Sequence, residues 1–571
     1  MKLQVRLVLL PVLVNGAKVN SPGSNTSDLL ARTINALGGL QALNDIKGLT
    51  LQSSDYRSTT LSQSYSLDSS DQLIATGAIS TISFDFSDTL ITQRIDRNLT
   101  YDYFWAHAHR DGKLDYSLVV QTGSNGSACF NVGGSVDDPS VPFGYADSYL
   151  TDYLVHSAQQ SALLGVLKQF EASSSQLVYS VTSIAASGVD YPTLSLPNAN
   201  LALLVHNDTG LPYAIRSTET HEIYGASTND VVFSNYASVS FGKSQTFKYP
   251  NRIQTIYNEV YVLEDYTISQ ISANPQFPDS YFKAFPPTPP AGSPPDNVAQ
   301  LPRTDNEYPR SEVHEFYETG LWFGPFGQQN NVSSVVAKPV FPGGNVPQIV
   351  NLYVGTVPDY VQLLVEFEDG LVITDAAPHR SKIILQWVKE NYPGKSITHV
   401  VPSHHHRDHA GGVGDYLAAG AKLVIPEIAK DYYKNVNGGK FQTITYDDEH
   451  PFIKQDKNVQ FLSFWKNENP HASDWTWAAA APACSKFNNS EVVVIDADIV
   501  NPRPGPVMRW DTPHAMPFFV DAVHRGIPLE ATLVGAHGGT GIGIGTTDSL
   551  INLVNIAGFT YPNSTGTKGW C

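Results

Sequence analysis

The run Ser403-His404-His405-His406-Arg407-Asp408-His409, set directly behind the apolar segment Ile397 to Pro402, restricts the fold of this chain more than any other feature. In an extended segment every second side chain points the same way, so His404, His406 and Asp408 converge on one small volume beyond a strand end. His409 then enters the next helix or turn. Imidazole and carboxylate are borderline ligands suited to Zn²⁺, and several of them within one turn of chain hold a metal at little ordering cost. Gly411 and Gly412 let the backbone fold tightly beneath such ions. A surface histidine run is the bland alternative, and the strand before the run and the glycine pair after it argue against that.

The surrounding text supports an α/β unit. Val361 to Asp375 reads as two strands split by the turn Glu368-Asp369-Gly370, Lys382 to Asn391 is amphipathic at helical spacing, Gly414 to Ala421 reads as a helix and Lys422 to Pro426 as a strand. Further on, the pattern gives a strand at Val492 to Ile495, a helix around Phe518 to His524, a strand at Ala531 to Val534 and a last helix near Ser549 to Ala557.

The residues from Ser403 to Gly412, behind an apolar strand, resemble the signature of the metallo-β-lactamase superfamily, and the resemblance covers roughly Asn330 to Cys571. It implies a four-layer αβ/βα sandwich with two zinc ions at one edge of the paired sheets. It also implies further ligands downstream, each at a strand end. His471, in Asn469-Pro470-His471-Ala472, matches the third histidine of the first metal; Asp498, in Asp496-Ala497-Asp498-Ile499, matches the bridging carboxylate; His537, in Gly535-Ala536-His537-Gly538-Gly539, matches the last ligand of the second metal. By this resemblance the first zinc takes His404, His406 and His471, the second takes Asp408, His409 and His537, and Asp498 spans them. Asp496 faces the same way as Asp498 along a strand and is the alternative; Asp498 is preferred because it sits at the strand end. Asp375 resembles the acid that supports the ligands from behind, with a helix cap or loop acid as the other reading. His405, His379, His399, His514 and His524 are not expected to bind metal, and His514 is the best placed of them to meet substrate. His107-Ala108-His109-Arg110-Asp111 also spells HxHxD, but it lacks the following histidine and glycines and reads as a strand and turn.

A second unit precedes this one. At 571 residues the chain exceeds one ordinary core, and Phe285 to Asp305 carries prolines at 286, 287, 289, 290, 294, 295 and 302, the composition of a stiff linker. The boundaries read as a signal peptide over 1–17, a β-rich domain over 18–285, a linker over 286–306 and the metal-bearing domain over 307–571. Within the β-rich domain Ser27 to Ile46 is helical, interrupted at Gly38-Gly39. Ile79 to Arg97, Leu177 to Ile184, Val231 to Phe241 and Ile253 to Ile271 alternate as strands. The expected fold is α+β, a mostly antiparallel open sheet with a helix or two. Leu37-Gly38-Gly39-Leu40-Gln41-Ala42-Leu43, with Asp45-Ile46-Lys47, Tyr249-Pro250-Asn251-Arg252, Asn274-Pro275 and Phe282, faintly resembles lipoprotein-carrier-like β-rich domains. That resemblance implies a half-barrel able to bind an apolar ligand or to shield the active site.

The first residues show a basic start (Lys2, Arg6), a short apolar run from Leu7 to Val14, and small residues at Gly16 and Ala17, which is signal-peptide grammar and implies secretion. The apolar run is too short to span a bilayer, so stable membrane insertion is not expected. Sequons at Asn25, Asn98, Asn125, Asn207, Asn331, Asn488 and Asn563 suit a glycosylating route. Of the cysteines, Cys484 and Cys571 could pair, leaving Cys129 over. A formal charge of −18, with no Lys/Arg-rich run, argues against a nucleic-acid partner and leaves a small-molecule substrate.

Two zinc ions about 3.5–4 Å apart bring the pKa of a bridging water near neutrality and polarise a carbonyl, so the pattern implies a secreted hydrolase of an ester, lactone, thioester or amide. Asp408 is expected both to bind metal and to orient or relay the proton of the nucleophile. The bridging Asp sets the pattern nearer to the glyoxalase II, lactonase and general-hydrolase branches than to true β-lactamases. The alternatives are an iron-dependent redox enzyme of the same fold, and a ligand-binding protein whose metal site is vestigial.

Overall fold

A computed structural model describes residues 24–59, 61, 66–68, 74–88, 90–103, 113–132, 144–146, 148–242, 244–283, 310, 331–354, 361–378, 380–466, 469, 471–484, 491–499, 512–536 and 548–551. The leader, the linker, the HxHxD segment at 107–111, His379, His537 and Cys571 lie outside the described residues.

Period-two alternation over the first half produces an antiparallel sheet, fourteen-stranded among the described residues. It consists of two meanders. One runs outward from Gly48–Ser58 to Gly144–Tyr145, and the other from Val178–Ile184 inward to Tyr261–Thr267. They join where Gly48–Ser58 pairs antiparallel with both Tyr261–Thr267 and Gln270–Ala273. Val231 and Phe233 enter the large core while Val232 enters a small cluster with Ile184, Tyr191, Leu204 and Ala214 on the other side, so the alternation buries both faces of this strand.

Four helices cover the large core: Ser24–Leu37, Leu40–Asp45, Ser148–Ser161 and Leu163–Ala172. The first two are the expected helix broken at Gly38 and Gly39, whose φ values of 133° and 92° an L side chain rarely adopts. The last two exceed the expected helix or two. Their signal is the i, i+4 spacing of Leu150, Leu154 and Ala158, all buried. Ile79 to Arg97 resolves into Ile74–Asp85 and Thr92–Tyr103, and Ile253 to Ile271 is likewise divided among Gln245–Tyr257, Tyr261–Thr267 and Gln270–Ala273.

In the second half, two sheets follow the chain in order. The first holds Val335–Pro339, Ile349–Val354, Gln362–Phe367, Gly370–Thr374, Ile397–Val401, Lys422–Pro426 and Thr443–Tyr446. The second holds Phe452–Gln455, Val459–Trp465, Thr476–Pro482, Val493–Asp496, Thr532–Gly535 and Asp548–Ser549. Strands such as Ile349–Val354 and Gly370–Thr374 are buried at every position, as strands covered on both faces must be. Three cores separate four layers. Ile384, Val388 and Tyr416 pack under the first sheet, Leu363, Val365, Phe461 and Ala480 fill the space between the sheets, and Trp475, Trp477, Phe518 and Phe519 lie between the second sheet and the helix Thr512–His524. This is the four-layer αβ/βα sandwich expected from the second half.

Cys484 is disulfide-bonded, and Cys129 is a buried thiol outside any disulfide. Among the described residues no helix is long and apolar enough to cross a membrane.

Candidate metal centre

The strand Ile397–Val401 runs parallel to Gly370–Thr374, and the loops leaving both strands meet at one sheet edge. Asp375 leaves the second of these strands with φ 54°, a left-handed conformation that costs a non-glycine residue energy and is held here by its bonds. Its Oδ1 accepts the Ser403 N–H at 2.7 Å and its Oδ2 lies 3.2 Å from His409 Nδ1. Gln362 Nε2 donates to the Asp375 carbonyl at 2.8 Å. Asp375 therefore ties the start of the histidine run to its end, the supporting position rather than a helix cap.

The run then turns into a short helix, Arg407–Ala410, which sets His406 before it and Asp408 and His409 on it, all buried. Gly412 stands beneath. A Cβ there would lie 2.9 Å from the Ala377 carbonyl oxygen and 2.9 Å from the Ser381 side chain. Its φ is an ordinary −89°, so the need is for space and not for unusual torsion. Gly411, with φ −59°, is plain helical backbone, so the close approach expected of the pair falls to Gly412.

The second sheet supplies the opposite wall. Thr476 donates its N–H at 2.6 Å and its hydroxyl at 2.9 Å to the Ser403 carbonyl, stapling the sheets together at the start of the run. His471 sits in a turn whose N–H is held by Asn469 Oδ1 at 2.8 Å. Trp475 Nε1 donates to the Ala497 carbonyl at 2.9 Å, fixing the loop of His471 against that of Asp498. Asp498 adopts φ 68°.

These supports bring the ring nitrogens together. His404 Nε2 lies 2.8 Å from His406 Nδ1 and 3.1 Å from His471 Nε2. Asp498 Oδ2 lies 3.2 Å from His404 Nε2, 3.1 Å from His471 Nε2 and 3.0 Å from His409 Nε2. Asp408 Oδ2 is 3.2 Å from His409 Nε2. Two groups of potential ligand atoms result, His404, His406, His471 and Asp498 in one and Asp408, His409 and Asp498 in the other, each within 4.8 Å, with Asp498 common to both. Asp496, the alternative to Asp498, stays in its strand, where its Oδ1 accepts the Ile499 N–H at 3.2 Å. The donor set fits cations. Burial drives His404 down to about 4 and His406 well below the usual imidazole range, so both offer free lone pairs at neutral pH. Burial acts on His409 in the same sense, but Asp408, Asp498 and Asp375 outweigh it and raise its pKa, which marks a local excess of negative charge that a bound cation would relieve.

Two residues beside the site, Asp474 and Arg407, escaped the sequence reading. His405 turns away from the cluster and its Nδ1 meets Asp474 at 2.7 Å. Burial would raise the Asp474 carboxyl, but the adjacent imidazole holds it below the ordinary range. Arg407, also buried, places its charge near His221 of the N-terminal sheet, where burial and that charge together push the imidazole well below its usual pKa. Neither carried a signal in sequence, since both depend on segments far apart in the chain. His399, away from the cluster, contacts Thr398 and Phe452.

Residues 359–535 match the model of the metallo-beta-lactamase superfamily. No curated protein matches the chain. Similar solved structures include a B3 metallo-beta-lactamase with an active-site glutamic acid, 16% identical over 37% of this chain and 84% of that one, TM-score 0.28. A metallo-beta-lactamase from Pontibacter korlensis is 15% identical over 40% of this chain and 94% of that one, TM-score 0.28. A flavo di-iron protein from Thermotoga maritima is 12% identical over 36% of this chain and 57% of that one, TM-score 0.27. The matched segment spans both the histidine run and Asp498, so residues 359–535 form a metallo-β-lactamase superfamily domain.

Proposed function

We propose that the chain is a secreted, metal-dependent hydrolase that uses two zinc ions to cleave an ester, lactone, thioester or amide in a small-molecule substrate. The observation that carries the proposal is the position of Asp498 Oδ2, within 3.2 Å of His404, His409 and His471 and so shared by both ligand groups. In this reading His404, His406 and His471 would hold one ion, Asp408, His409 and His537 would hold the other, and Asp498 would be shared between them. A zinc pair supplies Lewis acidity and a nucleophilic water near neutral pH. Asp408, in the second group beside His409, would orient a nucleophilic water and take up its proton. Asp375 and Asp474 keep the loops in register from behind.

Secretion and N-glycosylation belong to the same proposal, with the two units joined through residues 286–306. They are supported by the leader grammar, by a disulfide at Cys484, a bond favoured in oxidising compartments, and by the exposure of the sequon residues Asn25, Asn98, Asn125, Asn207 and Asn331. An N-glycosidase that left the mobility of the exported chain unchanged would remove the glycosylation part.

The central test combines metal analysis with a panel of lactones, aryl esters, thioesters and amides. The expected result is two zinc ions per chain and turnover of at least one substrate class, falling about a hundredfold or more in Asp498→Ala. One iron per chain with oxygen consumption, or hydrolysis that survived His404→Ala combined with Asp408→Ala, would overturn it.

A further inference from the structure

The hairpin joining Pro212–His221 to Gly225–Phe241 belongs to the N-terminal sheet, yet its tip ends in the C-terminal unit. The register pairs His221 with Gly225, leaving Glu222, Ile223 and Tyr224 as a three-residue turn closed by Gly225 at φ 72°. His221 Nδ1 accepts the N–H groups of Ile223 and Tyr224 at 3.1 and 3.3 Å, which fixes the tip from within. Two apolar side chains at a hairpin tip would ordinarily face water. Here Ile223 is 1% exposed and belongs to the core that Leu352, Ile373, Val400 and Tyr416 form beneath the first sheet of the metal-bearing unit.

Tyr224 is shared between the two units. It packs with Leu61, Tyr257 and Leu263 of its own unit and also against the C-terminal core. Its carbonyl accepts Asn435 Nδ2 at 3.5 Å, and its ring stands edge-on to Tyr432 at 6.0 Å. Tyr432 in turn stands edge-on to His405 at 5.2 Å. His405 lies between His404 and His406 in the chain and is clamped on its other side by Asp474, three residues from His471. A continuous line of contacts thus runs from the N-terminal hairpin to the backbone that carries two of the clustered histidines.

We propose that this hairpin tip sets the geometry of the ligand loop, with Tyr224 and Tyr432 as positioning residues that act through His405 on His404 and His406. The cation affinity of the C-terminal site then depends on the N-terminal sheet. The inference rests on the reading of that site as a metal centre. Packed aromatic rings suit the role, because edge-to-face contacts are directional and a ring cannot shift without moving its neighbour. Support of this kind changes metal affinity without supplying a ligand.

The test uses the full chain, stripped of metal and titrated with cobalt(II) alone, reading the visible d–d bands and competition with a chelator. Tyr224→Ala is expected to weaken cobalt binding about tenfold and to alter the band shape, while Tyr224→Phe, which keeps the ring, restores both. Tyr432→Leu interrupts the same line from the C-terminal side and is expected to reproduce the loss; it carries the test if Tyr224→Ala does not fold. Cobalt affinity and spectra unchanged in the folded variants would overturn the proposal, as would a lower unfolding temperature with an unchanged spectrum, since that is a structural role alone. A wild-type chain that took up no cobalt would sink the metal reading and this inference with it, whereas wild-type uptake with unaltered variants sinks the inference alone.

Discussion

Each half of the molecule buries a cluster of charges, and the two clusters are resolved in opposite ways. In the N-terminal sheet, Arg216 meets both oxygens of Asp230 at 2.7 Å and Glu259 at 2.9 Å. A guanidinium keeps its charge on burial and offers donors in a fixed fork, so the chain itself supplies a cation that both carboxylates meet, with the Ala185 N–H adding a 2.7 Å bond to Glu259. At the edge of the C-terminal sandwich, Asp498 meets imidazoles, and burial lowers the pKa of His404 and of the neighbouring His406 below the usual imidazole range. Neutral rings cannot balance Asp498, Asp408 and Asp375, and His409, the imidazole whose pKa these carboxylates raise, answers only one of the three. The N-terminal cluster finds its cation within the chain, and the C-terminal one keeps an excess of negative charge that a cation from outside would relieve.

The sharpest way to break this contrast is to remove a carboxylate on the self-contained side. Asp230→Ala leaves a buried guanidinium with Glu259 alone, and the expected loss is about 3 kcal/mol, the lower end for breaking a buried pair because Glu259 remains. Urea unfolding should show the same loss with zinc and with chelator present. A loss that appeared only when zinc was bound would mean that the two clusters are not independent.

Gly412→Ala probes the other side with a smaller expected effect. The new Cβ meets backbone and Ser381 at 2.9 Å, so either the helix Ser381–Asn391 or the histidine run must shift. We expect a destabilisation of about 1–3 kcal/mol from overpacking, together with weaker metal binding because the ligand loop is displaced. If thermal stability falls while metal affinity holds, the loop is fixed from the hairpin and Asp474 side rather than from beneath.

The contrast also explains what was legible in the chain. The ligands cluster in sequence because four of them leave one strand end, so their chemistry can be read locally. Strands such as Gln362–Phe367 and Gly370–Thr374, split by Glu368 and Asp369, are equally plain. The Arg216, Asp230 and Glu259 cluster comes from two strands and a turn and carries no local sign. The same holds for His405 with Asp474, which are 69 positions apart. Ala478 to Ala481 carries no strand signal of its own, since alanine favours helix, and it is an inner strand because flanking strands pair with it on both edges and both faces are covered. The buried tip at Ile223 and Tyr224 announces itself only as two apolar residues where a turn should be polar, and its partner lies some two hundred positions on.

Lys168 supplies the mildest test, because it is a half-buried N-terminal cation answered by a carbonyl and a ring instead of a carboxylate. Its Nζ donates to the Ile46 carbonyl at 2.6 Å and lies 5.3 Å from the centre of the Phe86 ring. Burial, with repulsion from Lys47, lowers its pKa from 10.5 to about 8. A folded value below the unfolded one means that between pH 8 and 10.5 the unfolded chain binds more protons. Stability should therefore rise with pH through that window and, below it, show no pH dependence from this group, because both states are protonated there. Urea midpoints of the metal-free chain across the window, compared with Lys168→Met, isolate the term. The wild type should gain on the variant as pH rises, and a constant difference would show that the carbonyl and ring satisfy the ammonium as fully as Asp230 satisfies Arg216.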